Sequence, residues 1–332
     1  MTYAGIMWPA DEPRIPTAEW TSLSVDTLAR KYDSLENHGW YRNLEPTLEE
    51  LHERLRDGDR IIDYSGGTGI LVDWLFRRWP ELRIGVLIAD SSPKFLRLAL
   101  EKLRGNERVA FRLISFLKDR KRLQLLDEVL GPPLRGLDGL VSTNAVHLYY
   151  DLPDTVASWV RCLRAGAPVF VQSGNIRNPD AEPGTWIIDE TVGAIHDIAI
   201  ELVRADPMWT AYRATLADGQ RMSAYAALRD KYFLPVRPLE YYLGVFQGAG
   251  LTIERVVARP IVGRVLDWYE FLAAYHEGVL PWVGGVEKLD GAAPSAEAVR
   301  DRLALMKQAV DRLFGGKHEF RASWTYITAR TG

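Results

Sequence analysis

The sequence predicts an α/β fold: a doubly wound, mostly parallel sheet of seven strands with helical lid insertions. Three observations carry that expectation. Short, continuously apolar runs alternate with helical periodicity from about residue 45 to 175, and such strands belong to parallel sheets covered by helices on both faces. A glycine-rich turn in "IIDYSGGTGIL" (61–71) joins the first of these runs to the helix after it. Beyond Gly174 the alternation gives way to two long amphipathic helical stretches before the strand pattern resumes.

In chain order, "LEPTLEELHERL" (44–55) sets Leu44, Leu48, Leu51 and Leu55 at helical spacing, and "RDGD" stops the helix. "RIIDYS" is a strand and "GILVDWLFRRWP" a helix ended by Pro80. "RIGVLIAD" (83–90) is the second buried strand. "SSPKFLRLALEKLR" opens on capping serines with Pro93 in the first turn, where proline suits a helix. "RVAFRLIS", "GLDGLVSTN" and "APVFVQSG" are the next strands, with the helix "LPDTVASWVRCLRAG" between the last two. "TWIIDETVGAIHDIAIELVRAD" aligns Ile188, Val192, Ile195, Ala199 and Leu202 on one helical face. "PLEYYLGVFQGAG" and "LTIERVVARP" then resume the core as helix and strand. A second helical insertion runs from "DWYEFLAAYHEG" to "VRDRLALMKQAVDRLF", and "EFRASWTYITAR" is the closing strand. The predicted organisation is an N-terminal helical cap (1–45), an α/β core (46–175), a lid insertion (176–238), more core (239–260), a second insertion (261–317) and a last core strand (318–332). Excursions of this kind cover the ligand crevice at the carboxyl ends of the strands.

Composition removes several function classes. The chain has 332 residues and a formal charge of −3, from Lys+Arg 41 against Asp+Glu 44. A duplex-binding domain carries a basic excess, so no nucleic-acid partner is expected. The basic run "KDRKRLQ" (118–124) reads as a solvated helix face, and "KLDGAAPSAEA" (288–298) as a disordered segment. The single cysteine, Cys162, allows no internal disulfide. The N-terminus lacks a basic start followed by an apolar block, and no window holds 18 continuous apolar residues. A cytoplasmic protein with no membrane partner is the expectation.

The glycine turn is open to two cofactors. In the dinucleotide fingerprint Gly-x-Gly-x-x-Gly, Gly67 and Gly69 fit the first two positions, but Val72 stands at the third. No tyrosine is followed four residues later by lysine, as a short-chain dehydrogenase would require. An NAD(P)-dependent oxidoreductase therefore stands only as an alternative.

"IIDYSGGTG" resembles the first motif of the class I S-adenosylmethionine-dependent methyltransferases, acidic-x-Gly-x-Gly-x-Gly. Asp63, Gly67 and Gly69 match it, and Ser65 stands where the first glycine is usual. "IADSSPKFLRLA" resembles the family's second strand and the helix start after it; Asp90, 21 residues beyond Gly69, holds the acidic position that accepts from the ribose hydroxyls. "GLDGLVSTNAVHLYYDLPD" resembles the family's fourth-strand segment, and "ARKYDSLENHGWY" its cofactor-closing Tyr-Asp helix. The resemblance implies a Rossmann-like fold with S-adenosylmethionine as cofactor and S-adenosylhomocysteine as product. It implies cofactor contacts from Tyr32, Asp63, Ser65, Gly67, Gly69, Asp90, Ser91, Ser115, Phe116 and Asn144; Ser115 and Phe116 replace the family's acidic adenine contact, with Phe116 available to stack.

Methyl transfer needs acceptor, methyl carbon and sulfur in line, with water excluded. A hydroxyl, thiol or acidic carbon also needs a base, and His147, just past the fourth strand, is the catalytic candidate. Tyr150 and Tyr241 are candidate aromatic contacts to the small-molecule acceptor, and Arg177 a partner for an acceptor carboxylate. Asp189 and His196 have the spacing Asp-x6-His with no cysteine or second histidine beside them, so no metal is expected. A protein that binds S-adenosylmethionine without transferring its methyl group, regulatory or pericyclase-like, is the second alternative.

Overall fold

The computed structural model describes residues 8–9, 12–24 and 39–332. Seven strands form one sheet: β1 (Arg60–Tyr64), β2 (Gly85–Asp90), β3 (Val109–Leu113), β4 (Gly139–Thr143), β5 (Pro168–Ser173), β6 (Leu251–Arg264) and β7 (Glu319–Thr331). Their spatial order is β6-β7-β5-β4-β1-β2-β3. The first five strands run parallel, and β7 lies antiparallel between β5 and β6. The main helices are α1 (Glu45–Arg54), α2 (Ile70–Arg78), α3 (Pro93–Leu103), α4 (Leu152–Cys162), α5 (Ile188–Ala205), α6 (Gly219–Tyr232), α7 (Leu239–Gly248), α8 (Val265–Ala274) and α9 (Ala296–Leu313).

Side chains alternate across a strand, and here both sets are apolar. Ile61, Val86, Ile88, Val109 and Phe111 pack under α1, α2 and α3. Their neighbours Ile62, Leu87, Ala110, Leu140 and Val169 pack under α4 and α7. Each fully buried side chain of this size contributes roughly 1.5–3 kcal/mol, so continuous apolar runs are what a two-sided sheet selects.

The strand order reverses at β1, which has β2 on one side and β4 on the other. Open α/β sheets bind ligands at such a switch point, beyond the carboxyl ends of the strands. The long β6–β7 pair reaches past that end: Thr325 pairs with Ser173, the last residue of β5, and residues 319–324 continue beyond it. On this extension sits a third apolar cluster. Val192, Ile195, Ala199 and Val203 of α5 join Leu305, Met306, Ala309 and Val310 of α9, together with Phe320, Ala322 and Trp324. The two insertions, distant in sequence, share one core above the crevice.

Three expectations change. On α5 the fifth buried position is Val203, with Leu202 only half-buried, because the face follows 192, 195, 199 and 203. The basic run 118–124 is a turn between two short strands, Phe116–Leu117 and Arg122–Leu123, not a helix. Arg120 and Arg122 fold back onto Glu128 at 2.9 and 2.7 Å, which the helical reading did not anticipate. Segment 288–298 is ordered: Asp290 accepts from Arg221 and Tyr225, and Ser295 caps α9 by accepting from the Ala298 amide at 3.1 Å. No described helix is long and apolar enough to cross a membrane.

Candidate functional site

The turn after β1 is built around a buried carboxylate. Asp63 pairs within the sheet beside Ile88 and Val141 and is fully buried. Neither of its oxygens has a hydrogen-bond partner. Burial, reinforced by the charge of Asp90, pushes its pKa up to about 8. Gly66 lies directly against it: a Cβ there would stand 2.5 Å from Asp63 Oδ2. Gly69 (φ +76) seats the turn on α3, since its Cβ would fall 2.9 Å from Leu103 Cδ1. Gly66 was not among the sequence candidates, because the motif spacing passes over it.

Ser65 has φ 60, the left-handed region in which a side chain costs roughly 1–2 kcal/mol. That is the physical reason for the usual glycine. Serine has its own use here, because its hydroxyl accepts from the Tyr149 hydroxyl at 2.8 Å, and Tyr149 also lies 3.1 Å from Ser142 Oγ. Tyr149 thus ties the turn to β4. We expect Ser65→Gly to be more stable than Ser65→Ala by about 1 kcal/mol, since both lose the hydroxyl and only alanine keeps the backbone cost. Paired urea denaturation curves check this, and equal midpoints would contradict it.

Asp90 closes β2 under the same turn. Its Oδ2 accepts from the Gly67 amide at 2.9 Å and its Oδ1 from the Ser92 amide at 2.7 Å. Burial raises its pKa against the opposing pull of the Ser92, Gly67 and Ser91 backbone amides. Ser92, rather than Ser91, caps α3 by accepting from the Phe95 amide at 3.3 Å. Neither Asp63 nor Asp90 has an ion pair among the described residues. Two buried carboxyls without a cation among the described residues gain from the approach of positive charge, which favours their ionised forms. The unpartnered, buried Asp63 carboxyl behind the turn therefore fits a cofactor that brings positive charge to it.

Beside this turn lies a cavity of about 260 Å³ between the β4 and β5 loops and the helical insertions. Asn144, His147, Asn175, Asp189, Trp268 and Trp324 are among its walls. Asn144 has φ 56, and its side chain is held by Asn43 at 3.1 Å and by the Trp324 indole N–H at 2.8 Å. Gly174 makes room for that indole: a Cβ there would lie 2.9 Å from the ring. Asn175 Oδ1 accepts from the Asp189 amide at 2.8 Å, so its Nδ2 donates to His147 Nε2 at 3.0 Å. His147 is then the Nδ1–H tautomer and donates to Ser173 Oγ at 2.9 Å. Desolvation holds its pKa down at about 4. Desolvation lifts the Asp189 carboxyl to about 7, against the Asn175 side chain.

The structure brings together Asp63, Ser65, Gly67, Gly69, Asp90 and Ser91 at the turn, with Asn144 and His147 at the adjoining cavity. It does not bring in the three acceptor candidates. Tyr150 is 72% exposed. Arg177 pairs with Glu190 at 2.6 Å on the outer side. Tyr241 accepts from Arg237 at 2.9 Å and packs on Tyr242. Phe116 is 59% exposed on its short strand, and the neighbouring Ser115 amide donates to Gln124 Oε1 at 3.0 Å. Tyr32 lies outside the described residues. Among the described residues no group of three His, Cys, Asp or Glu is placed to hold a metal ion. Sequence reasoning weighed Asp189 only for a metal site and did not place it in a cavity wall; an acidic residue opening the first insertion helix was the available signal.

No family model and no curated protein matches the sequence. Solved structures align along most of the chain. The YcgJ protein of Bacillus subtilis aligns over 88% of this chain and 98% of its own, at 13% identity and a TM-score of 0.49. A geranyl diphosphate C-methyltransferase of Streptomyces coelicolor, solved with geranyl diphosphate and S-adenosyl-L-homocysteine, aligns over 87% and 77%, at 12% identity and a TM-score of 0.42. The [4+2]-cyclase SpnF aligns over 86% and 80%, at 13% identity and a TM-score of 0.45. At this level of likeness the weight rests on the chain's own geometry: a seven-stranded sheet with its antiparallel strand second from one edge, and a glycine turn over two carboxylates at the switch point. The chain has a Rossmann-like, doubly wound α/β fold with a mostly parallel seven-stranded sheet.

Proposed function

We propose that the chain is an S-adenosylmethionine-dependent methyltransferase acting on a small molecule enclosed beneath its helical insertions. The observation that supports this reading is the pair Asp63 and Asp90, buried under one glycine turn with no cation beside them among the described residues. When bound, the cofactor supplies a methyl group activated on a sulfonium. Asp63, sealed behind Gly66, acts on the cofactor's positive end by its charge from behind the turn. Asp90 keeps lone pairs for ribose hydroxyls while its other contacts hold the Gly67 amide in place. Ser65, Gly67 and Gly69 shape the turn so that backbone meets the cofactor closely, and Ser91 and Asn144 flank it. Tyr32, Ser115 and Phe116 remain the family-implied contacts. The insertions wall the cavity, and water displaced from it when ligands bind would strengthen each electrostatic contact within it. His147 serves in this reading as a neutral link orienting Asn175, because its free lone pair is already filled. A cytoplasmic setting belongs to the same reading, in keeping with the single cysteine.

The test is calorimetric titration of the full chain with S-adenosylhomocysteine. Binding is expected, with Asp90→Ala weaker by about 1.5–3 kcal/mol, the scale for hydrogen bonds to a charged acceptor. NADP is expected not to bind. Absence of S-adenosylhomocysteine binding would end the reading, and unchanged affinity in a folded Asp90→Ala would remove Asp90 from the site.

A further inference from the structure

We propose that the methyl acceptor is a small amine, held as its ammonium form by Asp189, which then takes its proton; this rests on the methyltransferase reading above. Asp189 is the second residue of α5 and lines the cavity. Its carboxylate has no ion pair among the described residues, and its backbone is anchored through Asn175. The hydrogen-bonded series Ser173–His147–Asn175 fixes the carboxamide next to it. Half of the lining side chains are aromatic, among them Tyr232, Phe233, Trp268 and Phe271. None of the described lining residues is lysine or arginine.

The electrostatics have one sign. Ring faces carry negative quadrupole density and attract a cation within about 6 Å. Among the described wall residues the single formal charge is the carboxylate of Asp189. Desolvation keeps His147 neutral, and burial pushes the Tyr242 hydroxyl up to about 12 against the pull of Arg237, with smaller contributions from Tyr241 and Asp189. An acceptor bearing carboxylate or phosphate finds no cation among the described wall residues, whereas an ammonium finds both a counter-ion and aromatic rings. Trp268 is held to α5 by its indole N–H, which donates to Thr191 Oγ1 at 2.9 Å, and it stacks on Phe271 at 5.1 Å between centroids.

The same carboxylate completes the chemistry. An ammonium has no lone pair, so it must lose a proton before it attacks. A carboxylate oxygen of Asp189 accepts that proton. The freed nitrogen pair then forms the bond to the methyl carbon as the carbon–sulfur bond breaks, and the bonding electrons remain on sulfur. Desolvation that lifts Asp189 to about 7 makes it a stronger base than an exposed carboxylate.

The probes are benzylammonium and benzyl alcohol, titrated calorimetrically at pH 7.5 into the full chain with saturating S-adenosylhomocysteine. Benzylammonium is expected to bind at least tenfold more tightly than the alcohol. Asp189→Asn is expected to remove that preference and to leave S-adenosylhomocysteine affinity within twofold. Equal or undetectable binding of the two probes to the wild-type chain overturns the proposal without needing the variant, as does a preference that survives Asp189→Asn. If S-adenosylhomocysteine itself fails to bind, the methyltransferase reading fails instead, and the amine preference is read in the cofactor-free chain.

Discussion

Asp63→Asn is expected to make the cofactor-free protein more stable at pH 8 while sharply weakening cofactor binding. The folded carboxyl has a pKa pushed up to about 8 from 3.8, chiefly by burial. Between those values the folded state keeps a proton that the unfolded state has lost. Stability therefore falls as pH rises through this window, and the full cost is present above pH 8. At 1.36 kcal/mol per unit, the wild-type chain gives up as much as about 5 kcal/mol by pH 8 relative to pH 4. Asparagine has no charge to desolvate, so the gap between variant and wild type should widen steadily with pH. Urea denaturation at pH 5 and pH 8 measures it. A wild-type stability that is level across that range, or parallel in the two proteins, would contradict the assignment. The same variant should bind S-adenosylhomocysteine at least tenfold more weakly, because asparagine removes the negative charge that the turn holds behind the cofactor's ammonium.

Gly66→Ala is expected to lower stability by about 1–3 kcal/mol, the scale for overpacking a filled interior, and to abolish cofactor binding. The added carbon would lie 2.5 Å from Asp63 Oδ2, 2.7 Å from its Cγ and 3.0 Å from Ile88 Cγ2. Asp63 is fully buried and cannot swing away, so the turn must lift. Gly67→Ala is the control. Gly67 has φ +55, yet nothing lies within 4 Å of its Cβ position, so only the backbone cost of roughly 1–2 kcal/mol applies. Thermal melts and S-adenosylhomocysteine titrations of both variants separate the two causes. Full cofactor affinity in Gly66→Ala would refute the close approach.

The core was legible because its physics is local. Strands buried on both faces must be apolar at every position, and Ile61 and Ile62 serve opposite clusters from adjacent places in the chain. The acidic residues at strand ends were legible for the same reason, since a charged residue closing an apolar strand has few structural uses. Side-chain direction in loops was not legible. Tyr149 and Tyr150 are neighbours of the same kind, yet the first holds Ser65 and the second is exposed. Asp189 acquires its setting from Asn175, fourteen residues earlier, and from α8, which arrives with the second insertion. The shared core of α5 and α9 joins segments a hundred residues apart, and helical periodicity within either one does not say what it packs against.

The most direct measurement is the number of protons exchanged when S-adenosylhomocysteine binds at pH 7, obtained by calorimetry in buffers of different ionisation enthalpy. The cofactor-free chain holds Asp63 mostly protonated at that pH, and the positive charge of the cofactor's ammonium beyond the turn is expected to ionise it. Close to one proton is expected to be released per site in the wild-type chain and almost none in Asp63→Asn. Binding with no net proton release, or equal release from both proteins, would contradict the central claim that this buried carboxylate is the seat of a cationic cofactor.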